Sequence, residues 1–219
     1  MRVFIIGSAA LAAAAIAGPA NAAPGDILIK VRGGYVLHPG SSRVAVDIDD
    51  ATTSAKPKSA VSGEASLTFF MTDHIATEIG FGVTSYDLKD RAGRNLSSAG
   101  LITPSMTIQY HPFPDAKFFR PYIGVGAAYA NFYSEKPGEV LTDRDAHFTQ
   151  FYSTSLKGRL APVGQIGADI ALNDQFYVNV DAKYIGSNTK FRVAQGGSSQ
   201  TVSHKMRSVI IGAGVGFRF

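Results

Sequence analysis

From Asp26 to Leu37 apolar and polar residues alternate. Ile27, Ile29, Val31, Tyr35 and Leu37 share one parity, and Lys30 and Arg32 share the other. A period of two marks a strand, because successive side chains leave it on opposite faces. The alternation returns over 61–71, 75–86, 101–111, 120–132, 158–172 and 176–186, and in the closing stretch from Val209 to Phe219. In 61–71, for instance, Val61, Ala65, Leu67, Phe69 and Met71 oppose Ser62, Glu64, Ser66 and Thr68. Eight such segments are joined by connections of alternating length. Long stretches cover 38–60, 87–100, 133–157 and 187–205, and short turns hold "TDH", "PFPDAKFF" and "NDQ". This pattern predicts an all-β fold, an eight-stranded antiparallel up-and-down β-barrel that crosses a membrane. Closure follows from the solvent, since an unpaired strand edge in lipid has no water to bond.

A soluble eight-stranded barrel with its apolar face inside, of the lipocalin kind, is the competing reading. Two features favour the membrane. The opposite face carries Gly34, Gly80, Gly82, Gly124, Gly126, Gly167, Gly212, Gly214 and Gly216, residues too small for a solvated surface and suited to a narrow interior. The outward aromatics also sort by height. Phe69, Tyr110, Phe176, Phe217 and Phe219 fall near one rim, and Tyr35, Tyr129 and Tyr184 near the other. Two girdles around an aliphatic belt match two membrane interfaces.

Composition narrows the setting. Cysteine is absent, so disulfides, thiolate metal sites and cysteine nucleophiles are excluded. The net charge of +4 suits an anionic surface and is too small to argue for nucleic acid. Residues 1–22 read as a cleaved secretory signal peptide. Arg2 precedes an apolar run from Val3 to Ala17, and Ala20-Asn21-Ala22 supplies the small-x-small site. The run is shorter than the roughly 20 residues of a membrane-spanning helix. The barrel domain is therefore expected over 23–219.

Four stretches, "GDILIKVRGGYVLHP", "PSMTIQYHPFP" followed by "FRPYIGVGAAYANF", "GQIGADIALNDQFYVNVDAKYI" and the final "IGAGVGFRF", resemble the OmpW family of bacterial outer-membrane proteins. Their order and spacing cover most of the barrel. Trp, common in that family, is missing here. The resemblance implies location in the outer membrane of a Gram-negative bacterium. It implies contact with outer-membrane lipid and lipopolysaccharide, and passage of small hydrophobic molecules. It also implies that Phe219 is the terminal aromatic read by the barrel-assembly machinery.

The inward parity collects Lys30, Arg32, Glu64, Glu78, Arg159, Asp169, Asp181, Lys183 and Arg218. Buried charges must pair or find water. They form either salt bridges that lock a narrow lumen or a polar lining that tunes passage. An apolar solute would use the outer part of the lumen, at Val36, Gly82, Tyr86, Gly124 and Ala128. Pro104 and Pro162 fall near the outer ends of two strands. Proline deletes a ladder hydrogen bond, so each marks either a bulge or strand start, or a weakened wall through which a solute leaves sideways. Lys190, Arg192, Lys205 and Arg207 lie in or near the last long connection without an acidic neighbour. They form either a solvated loop or a contact with lipopolysaccharide phosphates. The "DIDD" run at 47–50 reads as a solvated acidic loop, since a Ca²⁺ site needs more ordered oxygens. No Gly-x-Ser-x-Gly elbow or triad spacing appears. Neither catalysis nor a metal or other cofactor is expected.

Overall fold

The computed structural model describes residues 24–39, 44–48, 51–57, 59–89, 95–137, 153–156, 159–195 and 198–219. The leader expected over 1–22 lies outside them. The strands are β1 (Ile27–Leu37), β2 (Val44–Ile48), β3 (Ala51–Pro57), β4 (Ala60–Phe70), β5 (Ile75–Lys89), β6 (Asn95–Tyr110), β7 (Phe119–Pro137), β8 (Ser153–Leu156), β9 (Arg159–Ala171), β10 (Phe176–Gln195) and β11 (Ser198–Arg218). Eight of them pair antiparallel in the ring β1-β4-β5-β6-β7-β9-β10-β11, and β11 pairs back onto β1. The remaining three belong to the long connections: β2 pairs β3, β3 touches β5, and β8 pairs β10.

The register fixes the barrel's shape. Partners lead from Ile27 through Phe69, Thr77, Ile108, Val125, Gly164, Tyr184 and Val209 back to Leu37. One circuit thus climbs ten residues of β1. That stagger over eight strands tilts them by about 40° and leaves an interior that side chains can fill. Strands pack closely enough that two inward positions accept only glycine. A Cβ on Gly126 would lie 1.9 Å from the Met106 carbonyl oxygen, and one on Gly214 would lie 2.0 Å from that of Val31.

The alternation expected from sequence is present in the wall. Along β1, Leu28, Lys30, Arg32 and Val36 are buried, while Ile29, Val31, Tyr35 and Leu37 are exposed. Exposed Phe69, Tyr110 and Phe219 mark the rim that carries the short turns, and exposed Tyr35, Tyr129 and Tyr184 mark the other. Phe176 and Phe217 are half-buried and meet edge-on at 5.1 Å. The ten residue steps from Phe119 to Tyr129 rise about 25 Å at this tilt, the height of a barrel's apolar band. Short turns place the lower rim in the periplasm and the longer strands outside.

The long connections differ from expectation. β10 runs to Gln195 and β11 starts at Ser198, so most of the stretch expected as a loop over 187–205 is a paired hairpin. β5, β6 and β7 likewise extend past their expected ends. Above the membrane both faces of a strand meet water. The apolar-polar alternation that reveals a strand in sequence is lost there, while the backbone ladder continues.

Candidate functional site

At mid-height the inward charges converge on Glu78, which β5 holds almost fully buried. Lys30 Nζ lies 2.8 Å from Glu78 Oε2, and Arg32 donates to Glu78 Oε1 at 2.9 Å. Thr68 and Gln165 donate to it as well. The other arm of Arg32 reaches Asp181 at 3.2 Å, and the guanidinium also bonds Glu64 and Ser66. Lys183 Nζ donates to both oxygens of Glu64, at 2.7 and 2.9 Å. Gln165 links the cluster to Asp181 at 3.1 Å, and Asn179 links Asp169 at 2.7 Å to the Tyr122 hydroxyl at 3.1 Å. Buried charges are stable only when so fully paired. Two cavities at the upper edge of this network measure about 10 Å³ each. That is room for about one water apiece.

Below the cluster an apolar layer closes the periplasmic end: Leu28, Phe70, Ala76, Ala171 and Tyr177. Arg120 lies over the rings of Phe70 and Tyr177, 5.4 and 5.9 Å from their centroids. His111, in the turn just beyond β6, packs between Phe70 and Tyr122 at 4.9 and 5.3 Å. Burial, with the nearby charges of Lys30 and Arg120, pushes this imidazole down to about 3. It is neutral at any ordinary pH. Arg218 sits apart from the central cluster, bonded to Asp26 at 2.9 Å and the Tyr177 hydroxyl at 3.1 Å.

Above the cluster the lumen has two unlike sides. Ala128, Ala161, Val163 and Ile185, with Ile210 against them, form an apolar wall from β7, β9, β10 and β11. Ser62, Thr84, Thr103 and Ser105 line the side made by β4, β5 and β6. Val36 is buried at this height on β1. The two prolines flank the apolar wall. Ser105 pairs with Ala128 and Ile102 with Asn131 in one unbroken register, yet the β6–β7 ladder has no pairs at Thr103 and Pro104. Pro162 pairs with Ala127 on the β7 side, while toward β10 the β9 ladder stops at Val163 and Ile185.

Of the nine charges expected in the lumen, Lys30, Arg32, Glu64, Glu78, Asp169, Asp181 and Lys183 meet in one network, and Arg218 occupies the lower rim. Arg159 stands opposite Ala130 in the β7–β9 ladder, and its side chain is outside the described residues, as is that of Tyr86. The lumen-lining set expected from sequence was confined to charges and left out Arg120, Gln165, Asn179 and Tyr122, although the inward parity of β7, β9 and β10 already holds all four. Among the described residues no group of three or more His, Asp or Glu side chains is arranged to hold a metal ion.

The OmpW family model matches residues 23–219. An uncharacterised outer-membrane protein, y4mB, of Sinorhizobium fredii is 31% identical over 71% of this chain and 65% of its own length, so the match spans just under two thirds of that relative. Outer membrane protein W of Escherichia coli is 27% identical over 70% of this chain and 71% of its own. Among solved structures, OprG from Pseudomonas aeruginosa superposes with a TM-score of 0.72 at 21% identity, covering 92% of this chain and 99% of that one. AlkL in lipid bilayers gives 0.66 at 17% identity, covering 98% and 97%. These likenesses establish the fold. The comparisons indicate no enzyme family.

Proposed function

This chain belongs to the OmpW family of outer-membrane barrels, and from that premise we propose that it admits small hydrophobic molecules and releases them sideways into the membrane. The solute enters from outside and rests on the apolar wall of Ala128, Ala161, Val163 and Ile185. It goes no deeper, because the Lys183–Glu64–Arg32–Glu78 network fills the lumen beneath. It leaves through the outer half of the wall, where Pro104 interrupts the β6–β7 ladder and Pro162 ends the β9–β10 one. Val36 completes the apolar surface from β1. In this reading the ion cluster is a plug, the protein performs no chemistry and needs no cofactor.

The observation that carries the reading is the pair of missing rungs at Thr103 and Pro104, level with an apolar inner wall and above a filled lumen. Replacing Pro104 and Pro162 by Val restores two backbone donors. Uptake of an apolar tracer into cells or proteoliposomes should then fall several-fold at equal barrel content. Unchanged uptake by the folded double variant would contradict the lateral route. Baseline uptake by the unaltered protein across a panel of apolar tracers would favour a structural or adhesive barrel.

Assembly is proposed to rest on the last strand. The Phe219 amide donates to the Ile27 carbonyl at 2.9 Å, and its ring meets Phe217 edge-on at 4.7 Å. This places an aromatic side chain at the closing seam, where the barrel-assembly machinery would engage it.

A further inference from the structure

One of the two small cavities above the plug holds a cluster of hydroxyls that the ion network does not use. It lies on top of the Lys183–Glu64 pair, and Ser62, Thr84, Thr103 and Ser105 line it from β4, β5 and β6. Ser62, Thr84 and Thr103 are each more than nine-tenths buried. Glycines make room for these groups. A Cβ on Gly34 would lie 2.9 Å from Ser62 Oγ, one on Gly80 2.8 Å from Ser105 Oγ, and one on Gly82 3.2 Å from Thr103 Oγ1. The hydroxyls have little to bond. Thr103 Oγ1 reaches the Gly82 carbonyl at a long 3.5 Å, and among the described residues the side chains of Ser62, Thr84 and Ser105 make no hydrogen bond. Buried hydroxyls are normally paired, so four that converge on one space call for a polar group between them.

Size and charge define that group. The space measures about 10 Å³, room for one water-sized oxygen. Among the described residues its floor offers no spare charge, since Lys183 Nζ donates to both Glu64 oxygens and Arg32 bonds Glu64 as well. A carboxylate brought here would meet Glu64 without a cation of its own, and an ammonium would meet Lys183 without an anion. An uncharged oxygen meets neither penalty, and a hydroxyl can both donate to its neighbours and accept from them. The opposite side of the same cavity is Ile185 and Ile210. These pack with Val163 and, one step further out, with Ala161 and Ala128. Thr103 belongs both to the cavity and to the missing rungs between β6 and β7. Hydroxyl cluster, apolar wall and gap therefore adjoin.

We infer that the barrel selects amphipathic solutes with one small uncharged head, long-chain alcohols foremost, the head resting among Ser62, Thr84, Thr103 and Ser105 and the chain on Ile185, Ile210 and the alanines above. A pure hydrocarbon leaves the four hydroxyls bare. A site built to hydrogen-bond a solute hydroxyl discriminates against the analogue that lacks it. Thr103, at the inner mouth of the gap, is the residue that sets this preference. The inference rests on the proposed uptake of hydrophobic solutes and refines which of them are taken.

Initial uptake rates of 1-decanol, decane and decanoate test it. They are measured in Gram-negative cells carrying equal amounts of the folded barrel, and the rate of cells lacking it is subtracted. The unaltered protein should take up decanol roughly fivefold faster, or more, than either of the others. Thr103→Val with Ser105→Ala removes two hydroxyls and adds no bulk, and it should lower the decanol-to-decane ratio by roughly fivefold. Thr103→Ser keeps a hydroxyl at the gap and should keep the ratio. Equal rates for decanol and decane in the unaltered protein, or faster entry of decanoate, would overturn the head selection while leaving hydrophobic uptake standing. So would an unchanged ratio in the double variant. Barrel-dependent uptake of none of the three would remove the uptake reading, and this inference with it.

Discussion

Glu78 is the residue on which the plug depends. It faces Lys30 at 2.8 Å, Arg32 at 2.9 Å and Lys183 at 3.7 Å. Glu78→Gln removes their shared counter-charge while keeping the shape. Stranding a buried charge in this way costs about 3–5 kcal/mol, and urea unfolding in detergent should show a loss of that order. Glu64→Gln should cost less, because the Glu64 side chain is 16% exposed and water can take over part of its role. His111 gives the barrel a pH dependence with a definite sign. An unfolded histidine titrates near 6.5, whereas this ring is held down to about 3. The unfolded chain therefore takes up a proton that the barrel refuses. Its contribution is complete above pH 6.5 and is lost as the pH falls toward 3. At pH 5 the cost is about 2 kcal/mol. The stability difference between the unaltered barrel and His111→Gln should shift in the variant's favour by about that amount between pH 7.5 and pH 5. A constant difference would refute the assignment.

At the scale of elements, legibility in the sequence followed the solvent. Within the membrane every strand has one face in lipid and one in a packed lumen, so Ile29–Val31 against Lys30–Arg32 is readable as β1 without a structure. The upper half of β10, from Ser187 to Gln195, has water on both sides, and its composition alone resembles a loop. The inward charges were legible because a charge on the small-residue parity has nowhere else to go. Their partners were not, because the ten-residue stagger decides that Arg32 of β1 meets Glu78 of β5 and Asp181 of β10. That stagger is a property of the closed ring, and no single strand encodes it. Pro104 was visible as a break. Which ladder it interrupts, the one toward β7 and not the one toward β5, where it pairs with Phe81, required the register. Phe219 belongs to this scale too. Phe219→Ala removes an edge-on aromatic pair worth about 1 kcal/mol from the seam between β11 and β1. Pulse-chase assembly should slow, and a normal assembly rate would argue against a role for this ring.

The whole molecule is a ring that must be closed to span lipid. Closure depends on β11 approaching β1 to the point that Gly214 has no room for a Cβ. Gly214→Val should abolish the heat-modifiable folded form, whereas Gly33→Val, on the open lipid face of the same seam, should leave it intact. Closed in this way, the barrel is filled from the periplasmic layer of Phe70 and Tyr177 up to Lys183, and among the described residues the apolar wall above that filling is the one made by Ala128, Ala161, Val163 and Ile185. A lateral exit between β6 and β7 is the central claim. Thr103 and Ala130 face each other across the missing rungs, and the chain has no cysteine of its own. The most direct test is therefore apolar tracer uptake by Thr103→Cys/Ala130→Cys in the oxidised and reduced states of one preparation. A lateral route predicts that the cross-link stops uptake and that a reductant restores it. Equal uptake in the two states would contradict it.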